Sequence, residues 1–245
     1  MIGGYFRALY QDAMARAYDR AYDSIAEASG GGGAVLDCGA GAGSSFERLH
    51  RTGKIQAAQY RGIEWDASRV AAARARQLDV VQGDLNRPLE IEDARFTCVY
   101  GLSALEHLLY PCQFLRECRR VLRPGGRLVL LTPNISTYFT AALLIAGRMP
   151  SSGPHPDSNA LQQRSEVFRV ADHAEDANVE GDTPEHRHLI VFSYRVLRDY
   201  LELLGFVDIR GEGFGLYPFP RWMQPALERI DPYHCHQMVF SATRP

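Results

Sequence analysis

The chain has 245 residues, of which 46% are hydrophobic and 23% are charged, and its formal net charge is −2. These are ordinary values for a soluble globular protein, and the length allows one large α/β domain or two small ones. Because the charge shows no basic excess, the composition argues against a nucleic-acid partner.

The chain also lacks the sequence features of exported and membrane-spanning proteins. Its first letters, MIGGYFRALYQDAM, contain no basic region followed by an apolar run, so we expect no secretion signal. The longest apolar stretch, residues 139–146, is too short to cross a bilayer. The cysteines are scattered and odd in number, which predicts reduced thiols and a cytoplasmic protein.

The predicted elements alternate between strands and helices. A helix is expected over residues 5–28, and a glycine-rich linker follows it up to residue 33. Strands are then expected at 34–38, 59–64, 80–83, 96–100 and 127–132, with helices at 44–51, 67–77 and 112–122. A helix at 193–204 and strands at 206–211 and 237–243 complete the pattern. The alternation predicts an α/β fold: a doubly wound, Rossmann-like sheet of seven strands with the last strand antiparallel and helices on both faces.

The alternation is interrupted over residues 134–190. An apolar helix is expected at 135–148, and residues 149–187 are rich in Pro, Ser, Asp, Glu and His without a clear period. A long irregular segment within a compact domain is usually a lid or a mobile insertion. We therefore predict one domain, with an N-terminal helix and linker at 1–33, a core at 34–133, a lid insertion at 134–190 and a C-terminal part at 191–245.

The stretch from Asp37 to Gly43 combines the end of a strand with a glycine-rich turn. Glycines allow a close approach of a ligand to the backbone, although a tight turn without a ligand also uses them. A dinucleotide fingerprint would be G-x-G-x-x-G, but here its third position falls on Ser44. Backbone amides beside an acidic strand end suit a zwitterionic amino acid.

This stretch, DCGAGAG, resembles motif I of class I S-adenosylmethionine-dependent methyltransferases, which is commonly written (D/E)-x-G-x-G-x-G. Three later segments resemble that family in the expected order: VQGDLN at 81–86, FTCVYGLSALEHL at 96–108 and LRECRRVLRPGGRL at 115–128. Thr97 departs from the family pattern, which has Asp at the start of this strand. The resemblance implies S-adenosylmethionine as the cofactor and S-adenosylhomocysteine as the product.

The resemblance also assigns residues to the cofactor. Glu64, at the end of the second strand, would accept hydrogen bonds from the ribose hydroxyls. Asp84 and Leu85 would meet the adenine, and Trp65 would either wall the adenine or only pack. The full implied cofactor-binding set is Asp37, Gly39, Ala40, Gly41, Gly43, Glu64, Trp65, Asp84, Leu85, Gly101 and Leu102.

For the reaction, the resemblance implies methyl transfer to a small molecule, with a hydroxyl acceptor favoured, by a monomer or homodimer. His107 and His188 are candidate catalytic bases because the pKa of histidine lies near neutrality, although His107 also suits a structural role. His186 and Asn134 are candidate substrate contacts. A non-catalytic cofactor-binding scaffold is the main alternative, and an NAD-dependent oxidoreductase is disfavoured by Ser44.

A metal site is not expected from the sequence. The segments His186-x-His188 and His234-Cys235-His236 offer nitrogen and sulfur ligands, and alternation along a strand would place His234 and His236 on one face. No C-x-x-C or H-E-x-x-H pattern accompanies them.

Overall fold

The computed structural model describes residues 2–30, 32–150, 153 and 188–245. The strands are β1 (Val35–Cys38), β2 (Tyr60–Glu64), β3 (Val80–Gln82), β4 (Phe96–Leu102), β5 (Leu122–Pro133), β6 (Val207–Phe214) and β7 (Gln237–Thr243). The helices are α1 (Ile2–Ser29), α2 (Ser44–Arg51), α3 (Ala67–Ala75), α4 (Pro111–Val121), α5 (Tyr138–Ile145), α6 (Tyr194–Leu203) and α7 (Gln224–Ile230).

The strands form one seven-stranded sheet in the order β3-β2-β1-β4-β5-β7-β6. The pairs among β1 to β5 are parallel, whereas β7 is antiparallel to both of its neighbours, β5 and β6. The predicted sheet of seven strands with an antiparallel last strand is therefore confirmed.

Each face of the sheet has its own apolar core, because successive side chains of a strand point to opposite faces. On one face, α1, α2 and α3 pack against a set that includes Val35 and Tyr100. On the other face, α4 and α6 pack against a set that includes Leu36 and Val99. This arrangement confirms the predicted doubly wound architecture.

Helix α1 lies on the sheet through a stripe of mostly small residues. Ala13, Ala17, Ala21 and Ile25 recur about every four residues and are completely buried. Their spacing is that of one helix face, and the absence of bulky side chains lets the helix backbone approach β4, β5 and β7 closely.

An ion pair ties α1 to α7. The guanidinium of Arg16 donates to both carboxylate oxygens of Glu228, with Nη1–Oε2 and Nη2–Oε1 distances of 2.5 and 2.9 Å. Glu228 is buried and also accepts a hydrogen bond of 2.7 Å from the backbone N–H of Gly215. Such a bidentate pair fixes orientation as well as distance, so it sets how the two helices meet.

The surroundings of Thr97 at the start of β4 explain why this residue can stand where the family pattern has Asp. Its hydroxyl donates to the carbonyl oxygen of Ala34 at 2.8 Å, and its side chain fills the space in which a Cβ on Gly33 would lie. The side chain is buried at the amino end of the strand. Thr97 therefore serves local packing at the edge of the sheet opposite the glycine loop.

Two differences from the sequence expectations have a clear physical reason. Helix α7 was not expected, because seven residues with Pro225 near the start are too few to show a helical period. Strand β5 begins at Leu122, earlier than expected, because the Pro-Gly-Gly turn stays hydrogen-bonded to Arg244 at the edge of the sheet.

Two further expectations concern the cysteines and the membrane. All five cysteines are free thiols, as expected for reduced residues. Among the described residues, no helix has the combined length and apolarity needed to cross a membrane.

Candidate active site

The glycine loop lies between β1 and α2, at the carboxyl edge of the sheet. Strand order reverses beside β1, and this is where open α/β sheets bind ligands. The backbone N–H groups of Gly39 and Ala40 both donate to the carbonyl oxygen of Ile63, at 2.9 and 3.0 Å. These bonds hold the loop against the end of β2.

Gly41 and Gly43 have different surroundings within this loop. Gly43 has a φ of 92°, and a Cβ there would collide with the side chain of Leu78. Gly41 has a φ of 53°, and no atom of the described residues lies within 4 Å of the place where its Cβ would be. Gly43 is thus required by packing, whereas Gly41 leaves open space at the site.

Glu64 reaches the loop from the end of β2. Its Oε2 accepts a hydrogen bond of 2.7 Å from the backbone N–H of Gly41, and its Oε1 accepts one of 2.9 Å from the N–H of Asp66. A carboxylate has about four lone-pair positions, so each oxygen can accept one more donor. The residue predicted to bind the ribose therefore lies beside the open face of the loop.

Asp37 lies beneath the loop and is only 1% exposed. The hydroxyl of Tyr60 donates to its Oδ2 at 3.0 Å. Burial raises the pKa of Asp37 to about 7, and the hydrogen bond from Tyr60 opposes that rise. This predicted cofactor residue is thus a buried neighbour of the site.

Asp84 follows β3 and organises a turn. Its Oδ1 accepts from the backbone N–H and the side-chain amide of Asn86, at 2.9 and 3.0 Å. Asn86 in turn accepts from the backbone N–H groups of Leu109 and Tyr110, at 2.7 and 3.1 Å. This network joins the turn after β3 to the loop after β4.

The other two residues predicted near the adenine differ sharply in exposure. Leu85 is buried in the core cluster, so its backbone rather than its side chain remains for a ligand. Trp65 is 63% exposed, and its carbonyl oxygen accepts a hydrogen bond from Gln82. A side chain this exposed does not serve only as core packing.

The end of β4 brings Gly101 and Leu102 to the same edge, followed by Ser103. Gly101 is buried and Leu102 is half-buried. Ser103 has a φ of 53°, an unusual value for a residue with a side chain, and its hydroxyl lies 3.2 Å from that of Tyr18 on α1. Such backbone strain is typical of functional sites, yet nothing in the letters around Ser103 predicts it.

Glu106 is a site residue that the sequence reasoning missed. It is 2% exposed, and its Oε2 accepts a hydrogen bond of 3.0 Å from the hydroxyl of Thr132 on β5. Burial raises the pKa of Glu106 to about 7. Glu106 belongs to the segment 96–108 that resembles the methyltransferase family, but the sequence alone assigned no role to this residue.

The two predicted catalytic histidines lie together. The rings of His107 and His188 have centroids 5.3 Å apart and planes at 71°. Both residues are half-buried, and one donor atom from each lies within 4.8 Å of a carboxylate oxygen of Glu106 and of the other. His186, the neighbouring candidate, lies outside the described residues.

Asn134 does not match the role expected of it. The residue is completely buried, and its side-chain N–H groups donate to the carbonyl oxygens of Tyr233 and Cys235, each at 2.8 Å. Its Oδ1 accepts from the backbone N–H and hydroxyl of Ser136 and from the N–H of Tyr194. With its hydrogen-bonding capacity used inside the protein, Asn134 braces the chain after β5 instead of contacting a substrate.

The alternating-strand argument for His234 and His236 is also wrong. His234 lies in a short 3₁₀ turn before β7, where its Nδ1 contacts the carboxylate of Asp231 at 2.8 Å. His236 is buried, and burial lowers the pKa of its imidazole to about 4. The two side chains therefore do not share the face of a strand.

The site concentrates buried carboxylates. Asp37, Glu64, Glu106 and Glu228 are the buried acidic side chains of the described residues. Glu228 is paired with Arg16, whereas the other three lie at or just beyond the ends of β1, β2 and β4. A cationic ligand at this edge would stabilise the ionised forms of these three groups.

Comparison with known proteins agrees with this geometry. A family model described as a methyltransferase domain matches residues 36–130, which span β1 to β5. This match, together with relatives named as S-adenosylmethionine-dependent methyltransferases, supports a place in the class I S-adenosylmethionine-dependent methyltransferase superfamily. The matched segment includes five of the seven strands, and it contains the glycine loop, Glu64 and Glu106.

Two curated proteins to which this chain is similar are informative. A Mycolicibacterium smegmatis protein named "Probable S-adenosylmethionine-dependent methyltransferase" is 35% identical over 106 residues, which cover 42% of this chain and 39% of the relative. The "Ubiquinone biosynthesis O-methyltransferase" of Sodalis glossinidius is 29% identical over 200 residues, 76% of this chain and 75% of the relative. The match thus spans under half of the first relative and three quarters of the second.

A solved structure shares the fold of this chain. The S-adenosylmethionine-dependent methyltransferase from Mesorhizobium loti aligns with a TM-score of 0.54 at 19% identity, covering 87% of this chain and 92% of that one. At this identity the likeness concerns the fold alone.

Proposed function

We propose that this protein transfers a methyl group from S-adenosylmethionine to a hydroxyl group of a small molecule. The observation that carries the proposal is the meeting of Glu64 with the open glycine loop at Gly41, beside two further buried carboxylates. When bound, the cofactor supplies the activated methyl carbon on a sulfonium. The name of the O-methyltransferase from Sodalis glossinidius supports an oxygen acceptor.

The residues of this chain would hold the cofactor at three points. Glu64 has lone pairs left to accept from two ribose hydroxyls, and Gly41 leaves space for a close approach. The turn at Asp84 and Leu85 and the exposed ring of Trp65 would border the adenine. These contacts fix the position of the methyl donor relative to the end of β4, which is the main catalytic contribution open to the protein.

The acceptor would lie against His107 and His188. These half-buried imidazoles lie next to each other just beyond the end of β4. An imidazole with a pKa near neutrality can orient a hydroxyl and take its proton as the oxygen is methylated.

Calorimetric titration with S-adenosylmethionine tests the cofactor assignment. Glu64→Ala should weaken binding by about 30-fold, because it removes charge-assisted hydrogen bonds worth roughly 2 kcal/mol. The matched control is Glu90→Ala, which removes an exposed carboxylate and should leave affinity unchanged. Absence of binding by the wild-type protein, or equal affinity of both variants, would contradict the proposal.

A transfer assay with labelled cofactor tests the reaction. Phenols and other alcohols should accept the label, whereas matched amines should not. Label on amines alone would refute the oxygen acceptor, and cofactor binding without transfer to any acceptor would indicate a non-catalytic scaffold.

A further inference from the structure

Two backbone hydrogen bonds bring His188 to the loop after β4. The N–H groups of Leu189 and Ile190 both point to the carbonyl oxygen of Glu106, at 2.7 and 3.4 Å. The segment that starts at His188 is therefore attached to the same short 3₁₀ turn that carries Glu106 and His107. This attachment joins two parts of the chain that are far apart in sequence.

The attachment creates a compact group of three donors. One carboxylate oxygen of Glu106 and one ring nitrogen each of His107 and His188 all lie within 4.8 Å of one another. In a tetrahedral site with bond lengths of about 2.0–2.2 Å, ligand atoms lie about 3.4 Å apart, so side-chain rotations that bring these atoms roughly 1 Å closer would let them share one ion. Among the described residues, no other set of three histidine, cysteine or acidic side chains meets this criterion.

The surroundings of the group are those of an ordered ligand set. Glu106 is buried, and the hydroxyl of Thr132 holds one of its oxygens at 3.0 Å. Hydrogen bonds of this kind orient metal-binding carboxylates and raise the affinity of their sites. A buried carboxylate is also costly unless a cation or hydrogen bonds compensate it.

We propose that Glu106, His107 and His188 bind one divalent transition-metal ion. Two imidazole nitrogens and one carboxylate oxygen form a donor set that suits Zn²⁺ and its first-row neighbours, and that leaves coordination positions open. This proposal departs from the sequence expectation that no metal is bound.

The role of the ion rests on the proposed function. The group lies just beyond the end of β4, where the acceptor is proposed to bind, and open coordination positions suit an oxygen of that acceptor. Coordination lowers the pKa of a bound hydroxyl, so the two imidazoles would act as ligands and the hydroxyl would lose its proton to solvent. The resulting oxygen would take the methyl group as the carbon–sulfur bond of the sulfonium breaks, and S-adenosylhomocysteine would leave as a neutral thioether. The favoured acceptor is then one with oxygen donors, such as a molecule with neighbouring hydroxyls.

Metal titration of chelator-treated full-length protein tests the site without any activity measurement. Co²⁺, followed by its visible absorption, and Zn²⁺, followed by calorimetry, should each saturate at one ion per chain. The variants Glu106→Gln, His107→Gln and His188→Gln should each weaken binding by at least about tenfold. Circular dichroism checks that each variant is folded, and His188→Gln, at a half-buried position, keeps the test available if Glu106→Gln is unstable.

The control is His234→Gln, which removes an imidazole that also lies beside a carboxylate, that of Asp231. This variant should bind the ions as the wild type does. Equal affinities in the control and in all three cluster variants, or no saturable binding by the wild type, would overturn the metal site. S-adenosylmethionine titrations of the same proteins separate the two proposals, because loss of the metal site alone leaves cofactor affinity intact.

Discussion

Gly41 and Gly43 stand two residues apart in one loop and are expected to respond differently to the same substitution. Gly43→Ala should destabilise the fold by about 1–3 kcal/mol, because its backbone is left-handed and its new Cβ would collide with Leu78. Gly41→Ala should cost only about 1 kcal/mol, since its surroundings are open. Denaturant unfolding curves of both variants measure the difference, and equal losses would contradict it.

Gly41→Ala also tests cofactor binding, because its expected effect on stability is small. In Gly41→Ala the added methyl group would occupy space that we assign to the cofactor, so the affinity for S-adenosylmethionine should fall by about tenfold, or 1.4 kcal/mol. Calorimetry on the folded variant measures this. Unchanged affinity would place the cofactor elsewhere along the edge.

The buried carboxyl of Asp37 should make stability depend on pH. Burial raises its pKa in the folded state to about 7, from 3.8 ordinarily, so between these values the folded protein holds a proton that the unfolded chain has lost. Its contribution to stability is therefore present at acidic pH and is lost as pH rises towards the folded pKa. Tyr60, Tyr100 and Glu64 are the titratable groups that act on it.

Asp37→Asn removes this titration. Relative to the wild type, the variant should gain on the order of 2 kcal/mol in unfolding free energy between about pH 5 and pH 8. Urea unfolding at both pH values measures the change, and titrations of other groups largely cancel in the comparison. A difference between variant and wild type that is independent of pH would show that Asp37 is ionised throughout.

At the scale of elements, the attachment of α1 to α7 depends on an ion pair whose carboxylate is buried. Glu228→Gln should lower the unfolding free energy by about 2 kcal/mol, because the charge-assisted bonds to Arg16 are lost while the side-chain volume is kept. Arg20→Ala, which breaks the more exposed pair with Glu212, should cost less than about 1 kcal/mol. Equal costs in thermal or urea unfolding would show that the burial of Glu228 adds nothing.

Elements were predictable from sequence where local pattern alone decides them. The strand that precedes the glycine loop and the strand that carries Glu64 are short apolar runs bounded by turn residues. The loop and Glu64 both lie at the carboxyl edge of the sheet, as expected. Helix α7 was missed because it is short and is held by contacts with α1 that no local pattern records.

Individual site residues were less predictable, because a position at the end of a strand does not show whether the side chain is buried or exposed. Asn134 follows β5 at the expected edge, yet its amide is used up by backbone groups around residues 233–235. The meeting of His188 with Glu106 depends on backbone hydrogen bonds between distant segments. A sequence without related sequences beside it carries no signal for either arrangement.

At the scale of the whole molecule, the position of β7 in the sheet differs from its position along the chain. Strand β7 lies between β5 and β6 and is antiparallel to both, although it follows them in the chain. Until residues 237–243 are available, β5 has an unpaired edge and β6 has no strand partner. The nascent chain therefore passes through a stage in which these strand edges are unpaired, and unpaired edges are prone to pair with other chains.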